Sequence, residues 1–157
     1  MVVYVFDTSS FIVVGHYYPA RFPTFWSHLN GLVDAERLAS VSEVAKELDN
    51  NNTREHLAAW LKGHQSLFAT PSSEEMAFVA RIFAVPAFQL LVREKDRLKG
   101  SAVADPFVIA RAALIEGCVV SEERARPNVV RIPTVCAHFG IDCTVLEGLM
   151  GREGWQY

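Results

Sequence analysis

A continuous run of β-branched and aromatic residues, Val2-Val3-Tyr4-Val5-Phe6, ends directly on an acid, Asp7. Without polar alternation, such a run is the pattern of a strand buried on both faces, as found at the centre of a parallel sheet. A second run of the same character, Cys118-Val119-Val120, ends on Ser121-Glu122-Glu123. Parallel neighbours cannot be joined by a tight turn and need long crossovers, usually helical. The chain between the two runs should therefore supply helices.

It carries the required periodicity. After an irregular stretch over residues 15–23, helical spacing begins near Thr24 and runs through Trp26, Leu29, Leu32 and Val33. Ser42 is placed to cap a second helix ending near Asn50, and Thr53 a third containing Leu57, Trp60 and Leu61. Residues 67–70 read as a short strand. Ser72 or Ser73 before Glu74-Glu75 starts a long helix with a break expected at Pro86. Ala104-Asp105-Pro106 opens a helix through Ile109, Ala112, Ala113 and Ile115 that Gly117 stops. A short run at 129–132, a helix begun by Pro133, a strand near 143–145 and a final short helix complete the reading. Strands alternating with helices specify an α/β fold, expected as a three-layer α/β/α sandwich around a mainly parallel sheet. With no repeat, low-complexity tract or linker, residues 1–157 read as one domain, and 50% hydrophobic residues suffice for a sizeable core.

The formal charge of −3 gives no global attraction to a polyanion, so contact with nucleic acid would need local basic patches. Arg93, Lys95, Arg97 and Lys99 form one such stretch, diluted by Glu94 and Asp96 and equally readable as a solvated loop; Arg124 and Arg126 form another. Tyr17, Tyr18 and Trp26 are candidates for stacking on unpaired bases, although packing of the irregular stretch explains them as well. Cys118, Cys136 and Cys143 lack the close pairing of a zinc site and read as reduced core thiols. The apolar opening is too short for a signal peptide or a membrane span, so a soluble, cytoplasmic protein with no membrane partner is expected. No phosphate-binding glycine loop, dinucleotide fingerprint, nucleophile elbow or His-Glu-x-x-His pattern occurs.

In open α/β sheets the ligand site lies beyond the carboxyl ends of the strands. Asp7 and the Glu122-Glu123 pair occupy such positions. Each has a local explanation: Asp7 as a turn former bonded to the amides that follow it, the glutamates as a solvated acidic turn. Asp105 before Pro106 is explained locally as a helix N-cap, a role compatible with a second one because a carboxylate has several acceptor sites. On the helix after Ser42, an apolar face centred by Val41, Val44, Ala45 and Leu48 puts Glu47 roughly 110° away and Glu43 roughly 150° away. Glu47 is therefore nearer the core boundary and Glu43 nearer solvent. If these acids converge they repel, and Mg²⁺ or Mn²⁺ is the natural remedy for an oxygen-only set. Such an ion polarises a phosphoryl oxygen and activates water, the apparatus of phosphodiester hydrolysis.

Val-Tyr-Val-Phe-Asp7-Thr-Ser9, Glu47-Leu48 on a helix, Ala-Asp105-Pro-Phe and Val-Val-Ser121-Glu-Glu123 together resemble the PIN domain over nearly the whole chain. His16-Tyr17-Tyr18-Pro19, Arg21-Phe22-Pro23, Phe25-Trp26 and Ile132-Pro133-Thr-Val-Cys136 resemble one bacterial branch of PIN-like proteins, related to VapC-like toxins. The resemblance implies a Mg²⁺- or Mn²⁺-dependent ribonuclease with Asp7, Glu47, Asp105 and Glu123 as catalytic and metal-binding acids. Ser9 and Ser121 would be supporting groups. It also implies an RNA substrate, a cognate antitoxin protein as partner, and a homodimer. Two positions depart from the pattern: Ser9 stands where Asn is frequent, and Glu123 where Asp is common. Glu122 therefore competes for the fourth place, and one-metal and two-metal mechanisms both stay open. Two other readings are a catalytically decayed PIN-like RNA- or protein-binding module and a phosphatase with Asp7 as covalent nucleophile, the latter weakened by the missing second Asp at position 9.

Overall fold

Five short strands build the sheet of the computed structural model, which describes residues 1–89, 91 and 103–157. They are β1 (Tyr4–Phe6), β2 (Leu38–Val41), β3 (Phe68–Ala69), β4 (Cys118–Val120) and β5 (Asp142–Thr144). Their order is β3-β2-β1-β4-β5 and every neighbouring pair is parallel. Tyr4 aligns with Leu38 on one side and Cys118 on the other, so the two apolar runs lie side by side at the centre of the sheet. Every residue of β1 and β4 is buried, as a strand covered on both faces must be.

Among the described residues eight α-helices cover the sheet: α1 (Thr8–Val14), α2 (Pro23–Asp34), α3 (Ser42–Asn50), α4 (Glu55–Lys62), α5 (Ser73–Phe83), α6 (Asp105–Ile115), α7 (Ile132–Phe139) and α8 (Leu146–Glu153). The chain winds outward from β1 through β2 to β3, then returns to lay β4 and β5 on the other side of β1. With crossovers of one hand, winding in opposite directions places helices on opposite faces, giving the three-layer α/β/α sandwich. α6 packs across β1, β2 and β4 and against α5. Accordingly Val108, Ile109, Ala110 and Ala112 are buried along with its polar first residue. None of the described helices is long and apolar enough to cross a membrane.

Several local expectations change. β2 carries no obvious strand pattern because Ser40 interrupts it, yet Ser40 is buried and its hydroxyl donates to the Phe6 carbonyl at 2.7 Å. Val41 therefore ends this strand and does not belong to the helical apolar face; Ser42 is the first helical residue, and its hydroxyl donates to Glu43 and caps nothing. Thr53 is not a cap either: it donates to the Leu48 carbonyl at 2.7 Å and closes the end of α3. α1 was hidden by its hydroxyl-rich start, a composition that competes with helix formation unless a cap and tertiary contacts hold it. At α6 the N-cap is Ala104, so the N-cap expected of Asp105 gives way to a place inside the first turn. At the other end the left-handed residue is Glu116, with φ of 53°. Gly117 is required for a different reason: a Cβ there would lie 2.7 Å from the Val3 carbonyl oxygen. The capping box expected at the start of α5 forms between Ser72 and Glu75.

Candidate functional site

The direction of winding reverses between β1 and β4, and the crevice beyond their carboxyl ends is where a doubly wound sheet binds ligands. Asp7 follows β1 there and is 2% exposed. Its side chain caps α1, accepting the Ser10 amide at 2.8 Å on Oδ1, so the turn-forming role is real. It also accepts the Ser9 hydroxyl at 2.8 Å on each oxygen and the Ser121 hydroxyl at 2.6 Å on Oδ2. Ser121 reaches it from the end of β4 because β1 and β4 are in register, Phe6 beside Val120. The two supporting serines thus hold one carboxylate between them.

Glu47 turns inward from α3 and is buried, whereas Glu43 is partly buried and bonds Ser42 and Lys46. One Glu47 oxygen accepts the Thr8 hydroxyl at 2.6 Å and the other the Ala104 amide at 2.9 Å. Thr8 follows Asp7, and Ala104 precedes Asp105, itself buried. Hydrogen bonds and chain neighbours therefore connect Asp7, Glu47 and Asp105 across three elements. The fourth position is engaged elsewhere. The Glu123 amide donates to the Ser121 hydroxyl at 3.1 Å, while its carboxylate accepts the Ile132 amide at 3.0 Å at the start of α7. Glu122 plays the matching part at α8, accepting the Leu146 amide at 2.7 Å, and its own amide donates to Ser9. Each glutamate satisfies an amide that a helix start leaves open.

Burial pushes the Asp7 carboxyl above its ordinary range, against the pull of Ser121, the Ser10 amide and Ser9. Of the buried acids, Glu75 has Arg111 at 3.4 Å, but among the described residues no cation lies within ion-pair distance of Asp7 or Glu47. The donor set is all oxygen, which suits a hard divalent ion. The positions are not those of a finished ligand shell: among the described residues no group of three or more His, Cys, Asp or Glu side chains is arranged to hold a metal. The donors are of the oxygen type that Mg²⁺ or Mn²⁺ takes, while their placement among the described residues is not that of a metal site.

Residues that pattern reading passed over are Thr8, Ser10, Ser40 and the Ala104 amide. Ser10, fully buried, donates to the Val120 carbonyl at 2.6 Å and ties α1 to β4. The hydroxyl run Thr8-Ser9-Ser10 directly after a strand-ending acid was the available clue. Tyr17 stacks on Phe25 at 4.2 Å, and its carbonyl accepts the Trp26 indole, so both are packing residues; Tyr18 is exposed. Arg93, Lys95, Arg97 and Lys99 lie outside the described residues. Arg124 and Arg126 are exposed on the segment after Glu123, and Arg124 lines the cavity that Ser121 and Glu123 also line.

No curated protein matches the sequence. Among solved structures, a PAE2754 crystal structure from Pyrobaculum aerophilum is similar with a TM-score of 0.54 and 20% identity, covering 99% of this chain and 98% of the other. At that identity the likeness establishes the shared fold. A family model, described as a domain of unknown function, matches residues 4–157, and on that match the chain belongs to the DUF4411 family.

Proposed function

We propose that this protein is a PIN-like, divalent-metal-dependent endoribonuclease, the toxin of a VapC-like toxin–antitoxin pair, acting on RNA phosphodiester bonds. The observation that carries the reading is the burial of Asp7 and Glu47 at the sheet's switch point with no cation beside either among the described residues. Burying ionised carboxylates without compensation is costly, and a bound cation offsets that cost. Asp7, Glu47 and Asp105 would hold Mg²⁺ or Mn²⁺, with Glu123 as the fourth acid. When bound, the ion supplies Lewis-acid polarisation of a phosphoryl oxygen and activation of a water. Ser9 and Ser121 orient Asp7, and Thr8 and the Ala104 amide orient Glu47. The exposed Arg124 and Arg126 are available to phosphates. The test is cleavage of single-stranded RNA by purified protein with Mn²⁺ or Mg²⁺. Asp7→Asn is expected to abolish cutting while the circular dichroism spectrum stays native; a mutant that cuts as fast as wild type overturns the site.

A second reading, a PIN-like binding module that has lost catalysis, is favoured by one observation: the Glu122 and Glu123 carboxylates both serve helix starts. It predicts that calorimetry detects no Mn²⁺ binding while RNA or a protein partner still binds. Measurable Mn²⁺ binding that depends on Asp7 would reject it.

A further inference from the structure

A surface cavity of about 570 Å³ is lined by Tyr18, Arg54, Glu55, His56 and Ala59. Two of its walls continue from helices that carry the candidate acids. Asp7 caps α1, and Tyr18 follows the end of that helix; Glu47 lies on α3, and Arg54 follows the end of that one. α1 and α3 pack on each other. The seven residues of α1 are about 10 Å long and residues 15–18 add at most about 14 Å, so Tyr18 lies within about 30 Å of Asp7.

Tyr18 is held in place and still open. Its carbonyl accepts the Arg21 and Phe22 amides, each at 2.9 Å, which fixes the backbone. Its hydroxyl accepts from the Arg54 guanidinium, whose central carbon is 5.5 Å from the ring centroid. The His56 ring packs on it with centroids 5.1 Å apart, tilted by 48°. Yet Tyr18 is 49% exposed, whereas Tyr17 and Trp26 are packing residues. An aromatic ring already immobilised at the surface loses little freedom when a base lands on it. Arg54 is exposed, and among the described residues no carboxylate, Glu55 included, lies within ion-pair distance of it. The His56 Nε2 is closed to water and has no hydrogen-bond partner among the described residues, an unsatisfied group of the kind that a bound ligand satisfies.

We propose that this cavity is a subsite for single-stranded RNA, in which one base stacks on Tyr18 and an adjacent phosphate pairs with Arg54. A fixed flat ring beside an unpaired cation matches what a single strand presents, a π face and a phosphate on every nucleotide. The choice of RNA rests on the ribonuclease reading, whereas the subsite itself needs neither the acids nor a metal.

The test is fluorescence anisotropy of a labelled single-stranded RNA decamer titrated with the full chain in EDTA, so that no metal-dependent cutting occurs. Tyr18→Ala is expected to weaken binding about tenfold and Tyr18→Phe less than about threefold, as base–aromatic stacking requires. Arg54→Gln is expected to reduce the slope of log K against log salt by about 0.7, the share of one phosphate on a single strand. An abasic decamer should bind wild type and Tyr18→Ala alike. Both side chains are exposed, so each variant should keep the native circular dichroism spectrum. No binding by wild type, unchanged affinity in Tyr18→Ala, or AMP binding as tightly as the decamer would overturn the subsite. The two readings fail separately. Binding through Tyr18 with no cutting in Mn²⁺ upholds the subsite and removes the nuclease; cutting by wild type with binding indifferent to Tyr18 does the reverse.

Discussion

Removing the Ser121 hydroxyl tests whether the site is organised around an ionised Asp7. Both residues are buried, and the hydroxyl lies 2.6 Å from Asp7 Oδ2. A hydrogen bond to a charged group contributes about 1.5–3 kcal/mol, and the Glu123 amide, which donates to the Ser121 hydroxyl oxygen, adds about 0.5–1 kcal/mol. Where Asp7 is ionised, Ser121→Ala should therefore cost about 2–4 kcal/mol in metal-free buffer. The cost should also depend on pH. Burial raises the folded-state pKa of Asp7 above its unfolded value of 3.8, and the Ser121 bond opposes that rise. A raised folded pKa gives stability that is present below the unfolded pKa and lost as pH climbs through the folded one. Without Ser121 the folded pKa rises further, so the penalty grows over the pH range in which the folded Asp7 titrates. Urea unfolding of wild type, Ser121→Ala, Asp7→Asn and the double mutant across that range measures it. The double-mutant cycle should give a coupling of at least about 1 kcal/mol at the alkaline end. A pH-independent cost with coupling below about 0.3 kcal/mol would show that Ser121 does not act through the Asp7 charge.

Three further outcomes follow from the same geometry. Mn²⁺ should raise the unfolding midpoint of the wild type at neutral pH and leave Asp7→Asn unmoved, as scanning calorimetry can show; equal shifts in both would place the ion elsewhere. Glu153 accepts the Tyr4 hydroxyl at 2.6 Å and a bidentate Arg37 at 2.7 and 2.8 Å, which holds its carboxyl below the ordinary range. Stability from this clamp is present above the unfolded value of 4.5 and lost as pH falls through the folded one, so Glu153→Gln should cost about 1–3 kcal/mol at neutral pH and less in acid. Gly117→Ala brings a methyl to within 2.7 Å of the Val3 carbonyl oxygen, just before the central strand, and chemical denaturation should register a loss of about 1–3 kcal/mol.

How far the sequence alone reached can be traced residue by residue. The two apolar runs specified buried parallel strands because nothing polar offers either face to water, and the acids after them marked the carboxyl edge of the sheet. The Ser72–Glu75 box was legible because both partners lie within one turn of chain. The angular argument also chose Glu47 over Glu43 for the interior, although its apolar centre wrongly included Val41. What tertiary structure decided was partnership across long separations. Ser121 meets Asp7 only because β4 pairs with β1, and the Ala104 amide meets Glu47 only because α6 crosses β2. Glu122 and Glu123 were drawn to the starts of α8 and α7, positions that no local pattern fixes. β2 was invisible for the same reason: Ser40 is tolerated in the core because the Phe6 carbonyl, 34 residues away, accepts its hydroxyl. Local composition sets what each segment prefers, while the packing of distant segments determines which buried polar atoms find partners.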